Sequence, residues 1–244
     1  MTPRSIASDL LDTDPLAVAV VSAIQTGDVA ALRELLAAHP GLATTRIADG
    51  CGSARSLLHI AADWPGHFPN GARTVSALVA AGADVNARFV GGHAETPLHW
   101  AASSNDVAVL DALLDAGADI EVPGAVFTGG SPMSDAVVFA QWNAARRLIE
   151  RGARTTLWQA AALGLLDRVE QAVAGEPPSP QEITGAFWNA CRGGQRRTAE
   201  YLLARGADMN WVGWGDKTPL QAAEESGAAD LVEWLRAHGA RPRT

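Results

Sequence analysis

Basic charge is scarce in this chain of 244 residues, and lysine is almost missing. Lys and Arg together number 19 against 27 Asp and Glu, for a formal net charge of −8, and the single lysine is Lys217. Nucleic-acid affinity comes largely from neutralising phosphates with basic side chains, so this balance argues against nucleic acid as a partner. The denser basic segments, Arg146-Arg147 and residues 192–197, have acids around them and read as solvated helix faces. The preference for arginine fits a GC-rich bacterial genome better than any function. Cysteine is also rare. Cys51 and Cys191 are too few and too far apart to staple a scaffold, and they are expected to be reduced, packed thiols. No spacing of His, Cys, Asp and Glu suggests a metal site, and no phosphate-cradling loop or nucleophile motif is present. No cofactor is expected.

Long apolar runs are missing too. The longest, residues 16–21, stops at Ser22 and falls well short of the ~20 residues that cross a bilayer. Three acids, Asp9, Asp12 and Asp14, stand before it where a secretory signal carries positive charge. The expectation is a cytoplasmic protein with no membrane partner. What the chain does have is 48% hydrophobic residues, which offset the entropy of ordering and exclude general disorder. It also has 8 Trp among its aromatics but only 1 Tyr. Length alone allows one or two domains.

Internal repetition decides between them. Thr96-Pro97-Leu98-His99-Trp100-Ala101-Ala102 is followed by an apolar stripe, Val107, Leu110, Leu113 and Leu114, and then by Gly117-Ala118-Asp119. Thr218-Pro219-Leu220-Gln221-Ala222-Ala223 leads in the same way to Gly239-Ala240. Each piece reads as a helix pair. The threonine caps the first helix, proline is preset for its first position, small alanines allow close stacking, and the final glycine closes the second helix. Both pieces resemble the ankyrin repeat, whose core pattern is Thr-Pro-Leu-His-x-Ala. In that register, units fall at about 15–47, 53–87, 93–122, 128–153, 154–178, 179–210 and 215–240, with tails at 1–14 and 241–244. The resemblance implies an all-α solenoid of stacked helix-turn-helix units with projecting hairpin loops, forming a single array.

Four departures from the pattern stand out. Unit two carries an insert, Asp63-Trp64-Pro65-Gly66-His67-Phe68-Pro69-Asn70-Gly71, whose prolines and glycines forbid helix. Two readings of it stay open, a packed loop covering the edge of the stack and the wall of a binding site. Hairpins are missing before units five and six, where Ser179-Pro180-Gln181-Glu182 instead forms a helix start with a capping box. The resemblance implies that His59 and His99 brace neighbouring hairpins. Trp158 and Trp188 take the corresponding positions in units five and six and are expected to fill the space that hairpins leave.

The fourth departure is the groove. The resemblance puts on the concave face Ile60, Asp63 and Trp64, then Trp100, Ser103 and Ser104, then Asp135, Val138 and Phe139, with Gln159 in unit five. Asp63, Trp64, Trp100, Asp135 and Phe139 are expected to converge, with His67 on the insert and His93 and Glu95 on the hairpin before unit three. Two functions fit such a face. One is a binding module that presents aromatic anchors to a protein partner. The other is a pocket for a small apolar or aromatic molecule, in which Asp63, His67 and Asp135 are candidates for acid–base chemistry of an isomerase, cyclase or hydrolase. One enclosed cavity lined by Asp63, Trp64, Trp100 and Asp135 would favour the second.

Overall fold

A computed structural model describes residues 9–243. Residues 1–8 and 244, which belong to the two expected tails, lie outside the described residues. Two compact units divide the chain after Ala153.

The first unit holds four helix pairs: α1 (Pro15–Thr26) with α2 (Val29–Ala38), α3 (Leu57–Ala62) with α4 (Gly71–Ala80), α5 (Pro97–Ser103) with α6 (Val107–Asp115), and α7 (Pro132–Val138) with α8 (Trp142–Glu150). The helix starts follow from sequence. Asp14 accepts from the backbone N–H of Leu16 at 2.8 Å with Pro15 as first helical residue, and Ser56 with His59 and Thr96 with His99 form capping boxes. Successive first helices pack through small side chains. Ala61, Ala62, Ala101, Ala102, Ala136 and Val137 are all buried, backed by Leu58, Leu98 and Met133 and by Leu78, Leu113 and Leu148 of the second helices. The hairpin between α2 and α3 is a small sheet. β1 (Leu10–Leu11) runs parallel to β2 (Arg46–Ala48), which pairs antiparallel with β3 (Ala54–Ser56) in the register Ile47 opposite Arg55. Leu10 and Leu11, expected in a tail, are thus part of the folded unit.

The second unit holds three pairs: α9 (Leu157–Ala162) with α10 (Leu166–Ala174), α11 (Pro180–Arg192) with α12 (Arg196–Leu203), and α13 (Pro219–Ser226) with α14 (Ala229–Ala237). Its core joins Ala160, Ala161, Phe187, Ala190, Cys191, Leu202, Leu220, Ala223, Leu231 and Leu235. The box at Ser179 forms as its sequence suggests, with the Glu182 carboxylate accepting from the Ser179 N–H at 2.8 Å. A close approach explains Gly193. A Cβ there would lie 1.9 Å from the carbonyl oxygen of Ala162, so only glycine lets α11 end against α9.

Three expectations need correction. Cys51 is exposed rather than packed, because it sits at the tip of the β2–β3 hairpin; Cys191 is buried, and both are free thiols. Gln159 does not face the groove: the cap of α9 falls on Thr156, so Gln159 is buried and its side-chain oxygen accepts from the Thr156 N–H at 2.8 Å. Trp188 does not fill a vacancy. It is buried, and its indole N–H donates to the Lys217 carbonyl at 2.8 Å, bracing a hairpin that is present.

Candidate functional site

The first helices of pairs two to four, α3, α5 and α7, pack side by side. Their histidines lock the intervening loops. Ser56 N–H donates to His59 Nδ1, which leaves Nε2–H to donate to the Glu95 carbonyl at 3.1 Å. In the same way Thr96 N–H donates to His99 Nδ1, and Nε2–H reaches the Gly130 carbonyl at 3.2 Å. Burial pushes both imidazoles down to about 4, so both are neutral at pH 7 and structural.

Glu95, fixed in this way by its own backbone, turns a buried carboxylate to the centre of the face. One oxygen accepts from Trp100 Nε1–H at 2.9 Å and the other from the Val126 N–H at 2.8 Å. His93 Nδ1 lies 3.3 Å from the first oxygen, with its ring stacked on Phe89 at 4.4 Å. Beside Glu95 lies Asp135 on α7, only 1% exposed, its carboxyl hydrogen-bonded to the Glu95 side chain. Burial first and the charge of Glu95 second push Asp135 up to about 8, so it holds its proton at neutral pH. Trp100, His93 and Asp135 therefore do meet, around Glu95.

The hairpin tip 123–130 lies over this pair. Its turn is closed by Gly129 N–H to the Ala125 carbonyl at 2.7 Å and Gly124 N–H to the Gly130 carbonyl at 2.9 Å. Ala125 is buried inside it, while Val126 and Phe127 stay 44% and 54% exposed. Phe127 packs on Phe139 at the end of α7, ring centres 5.8 Å apart, and Phe139 itself is 43% exposed. The result is an uncovered apolar ridge on a hairpin tip that is tied to Glu95 through the Val126 N–H. Sequence reading placed Phe139 on this face but missed Val126 and Phe127, because the pattern of the repeat is silent on how a hairpin tip curls.

The remaining candidates do not join the cluster. Asp63 ends α3 and forms an ion pair with Arg55 at 2.5 Å, the arginine lying along the helix from its other end; burial raises the Asp63 carboxyl and Arg55 opposes that. Trp64 is 79% exposed. The insert turns away from the groove because it is tied to the turns between helices. The Asn70 amide donates to the Gly27 carbonyl at 3.0 Å, His67 N–H donates to Asp106 at 2.6 Å, and Gly66 packs so closely on Ser104 that a Cβ would approach its hydroxyl to 2.9 Å. The packed-loop reading of the insert is the one the geometry supports, and the expected convergence of Asp63, Trp64 and His67 with Trp100 and Asp135 is corrected accordingly. Ser103 and Ser104 both donate back to the Trp100 carbonyl, at 3.0 and 2.9 Å. Ile60, expected on the groove surface, is fully buried.

A cavity of about 330 Å³ lies nearby, lined by Asp12, Asp49, Arg55, Phe89 and Trp100 among others. Of the candidates named above, Trp100 borders it, and Asp63 and Asp135 do not line it. Among the described residues there is no group of three or more His, Cys, Asp or Glu placed to hold a metal, and no helix is long and apolar enough to cross a membrane. Arg147 and Arg151 on the second-helix side are engaged with Asp111 and Asp115 at 2.6–2.8 Å, which accounts for part of the basic sequence there.

Comparison with known proteins agrees with the geometry. Residues 157–244 match a family model described as ankyrin repeats in three copies, and residues 55–88 and 94–125 each match the single ankyrin repeat. The fold is similar to the crystal structure of the human ASB11 ankyrin repeat domain, with a TM-score of 0.55 at 20% identity, covering 94% of this chain and 100% of that one. No curated protein sequence gives a significant match.

Proposed function

The chain belongs to the ankyrin-repeat family, and from that premise we propose that it is a protein-binding array whose docking face is the α3–α5–α7 surface of the first unit. Ankyrin repeats generally mediate protein–protein contacts. The seven helix pairs are taken as seven repeats. The observation that carries the choice of face is the Val126–Phe127–Phe139 ridge, where three large apolar side chains 43–54% exposed lie together and the two rings pack on each other. Contiguous exposed apolar surface marks interaction sites, and aromatic anchors dominate their energetics. Acid–base catalysis is not favoured, since the two candidate aspartates lie apart and one is ion-paired to Arg55.

The test is affinity capture on the full chain, with the retained proteins identified by mass spectrometry. The double variant Phe127→Ser, Phe139→Ser removes only exposed rings and keeps the helical circular dichroism. It is expected to lose the protein that the wild type retains. Retention by the double variant at wild-type level overturns the choice of face.

A further inference from the structure

We infer that the cavity between the β2–β3 hairpin and α5 is a binding site for a free α-amino acid with an apolar side chain, taken as the zwitterion. This goes beyond the protein-binding reading above and does not rest on it.

Cavities that hold small molecules run from roughly 300 to 1,000 Å³. This one, at about 330 Å³, has room for a single small guest. One face of the hairpin lines it. Side chains alternate along a strand, so Ile47 and Asp49 share a face with Ser53 and Arg55 of the paired strand, and all four border the cavity. Ile47 is buried there and gives an apolar floor. Trp100 and Phe89 make a wall, with ring centres 5.7 Å apart and planes tilted by 43°. The Trp100 N–H is spent on Glu95 and Phe89 is stacked on His93, so both rings are fixed before a guest arrives.

Unspent charge of both signs borders the same space. Arg55, with its side chain 36% exposed, uses only Nη1, on Asp63; its Nε and Nη2 bond to nothing among the described residues. A guanidinium is a rigid fork, and the edge left over suits a carboxylate. Asp12 also borders the cavity, and its carboxylate has no partner among the described residues. Asp49 is ionised, because the N–H groups of Cys51 and Ser53 donate to one of its oxygens at 2.7 and 3.0 Å and hold the carboxyl below its ordinary range. These two carboxylates suit an ammonium. A simple anion would meet both of them, a simple amine would leave the Arg55 edge empty, and an apolar molecule would take water from all three groups without replacing its bonds. A zwitterion answers each group and brings no net charge. Its side chain then lies along Phe89 and Trp100.

The test uses L-phenylalanine as probe on the full chain labelled with 15N. Phenethylamine, which lacks the carboxylate, and 3-phenylpropionate, which lacks the ammonium, are the controls. The readout is the Trp100 indole N–H, assigned through Trp100→Phe, with the Trp188 indole of the second unit as a resonance that stays fixed. A saturable shift of Trp100 with L-phenylalanine is expected, and each control should bind roughly tenfold more weakly or worse, the loss of one charge-assisted contact. Arg55→Lys keeps a cation for Asp63 but loses the free edge of the fork. It should weaken L-phenylalanine about fivefold and leave phenethylamine unchanged. The double variant Asp12→Asn, Asp49→Asn keeps the oxygen that accepts in the turn and so the hairpin, and should weaken L-phenylalanine about tenfold. Absence of a saturable response to L-phenylalanine, a response of equal strength to either control, or unchanged binding in either variant overturns the inference. Phe127→Ser, Phe139→Ser alters neither the hairpin nor α5, so that variant should bind L-phenylalanine as the wild type does, and loss of its protein capture tells nothing against the cavity.

Discussion

Trp188 donates its indole N–H to the carbonyl of Lys217, the residue just before the cap of the next helix. His59 and His99 make the same connection to Glu95 and Gly130, each also one residue before a helix cap. An indole has therefore replaced an imidazole with the bracing bond retained. The exchange adds buried apolar area and removes a titrating group.

Trp188→Phe keeps most of the buried surface but removes one of the two donors to the Lys217 carbonyl, leaving the Gly213 N–H. A cost of about 1 kcal/mol is expected from the lost bond. Trp188→Ala should cost roughly 3–5 kcal/mol through the cavity it leaves. Urea unfolding of the three proteins checks both. Equal stabilities of wild type and Trp188→Phe would show that the bond contributes nothing.

The fold was legible because helix caps, paired alanines and closing glycines are local features with fixed spacing, and Ser179-Pro180-Gln181-Glu182 gave the start of α11 to the residue. The proposed docking face was only half legible. Trp100, Asp135, His93 and Phe139 follow from their register in the repeat. The curl of the 123–130 tip depends instead on a glycine-rich turn closing on itself and on Glu95 reaching Val126, a contact across 31 residues. The course of the insert was hidden for the same reason. Its direction is set by Gly27, Ser104 and Asp106, residues of neighbouring pairs that no reading of the insert alone would connect to it.

Acid should destabilise the first unit through its two bracing histidines. Their folded values lie near 4, below the ordinary 6.5, so the unfolded chain binds more protons between those limits. Their contribution is complete above pH 6.5 and is lost as pH falls through that range, up to about 3 kcal/mol for each at pH 4. His99→Gln should flatten the slope of stability against pH between 6.5 and 4, because glutamine serves the same cap position in α9 and α13 without titrating. Urea midpoints across that range provide the measurement; an unchanged slope contradicts the assignment.

Ala140 holds a left-handed backbone, with φ of 56°. The turns between the paired helices use Gly27, Gly164, Gly194 and Gly227 in the same conformation, and Asn105 in pair three. Alanine gains nothing there to offset the clash of its Cβ. Ala140→Gly is expected to stabilise the protein by roughly 1 kcal/mol, the left-handed penalty less the extra chain entropy of glycine. A raised midpoint in urea is the expected result, and a lowered one would show that the strain is absent.

Asp135 works in the opposite direction along the pH scale. Its carboxyl is raised from 3.8 to about 8 by burial and by Glu95, so between those values the folded protein binds the extra proton. Below pH 4 the group costs nothing. As pH rises the unfolded state is increasingly favoured, until the penalty is complete above pH 8, on the order of 5 kcal/mol. Asp135→Asn mimics the protonated acid and cannot ionise. The variant should match the wild type at pH 4, exceed it by a few kcal/mol at pH 8.5, and lose up to one proton from the slope between. A wild-type slope that survives the substitution would mean that Asp135 is ionised in the folded protein already, and that its charge is compensated by a group other than those around Glu95.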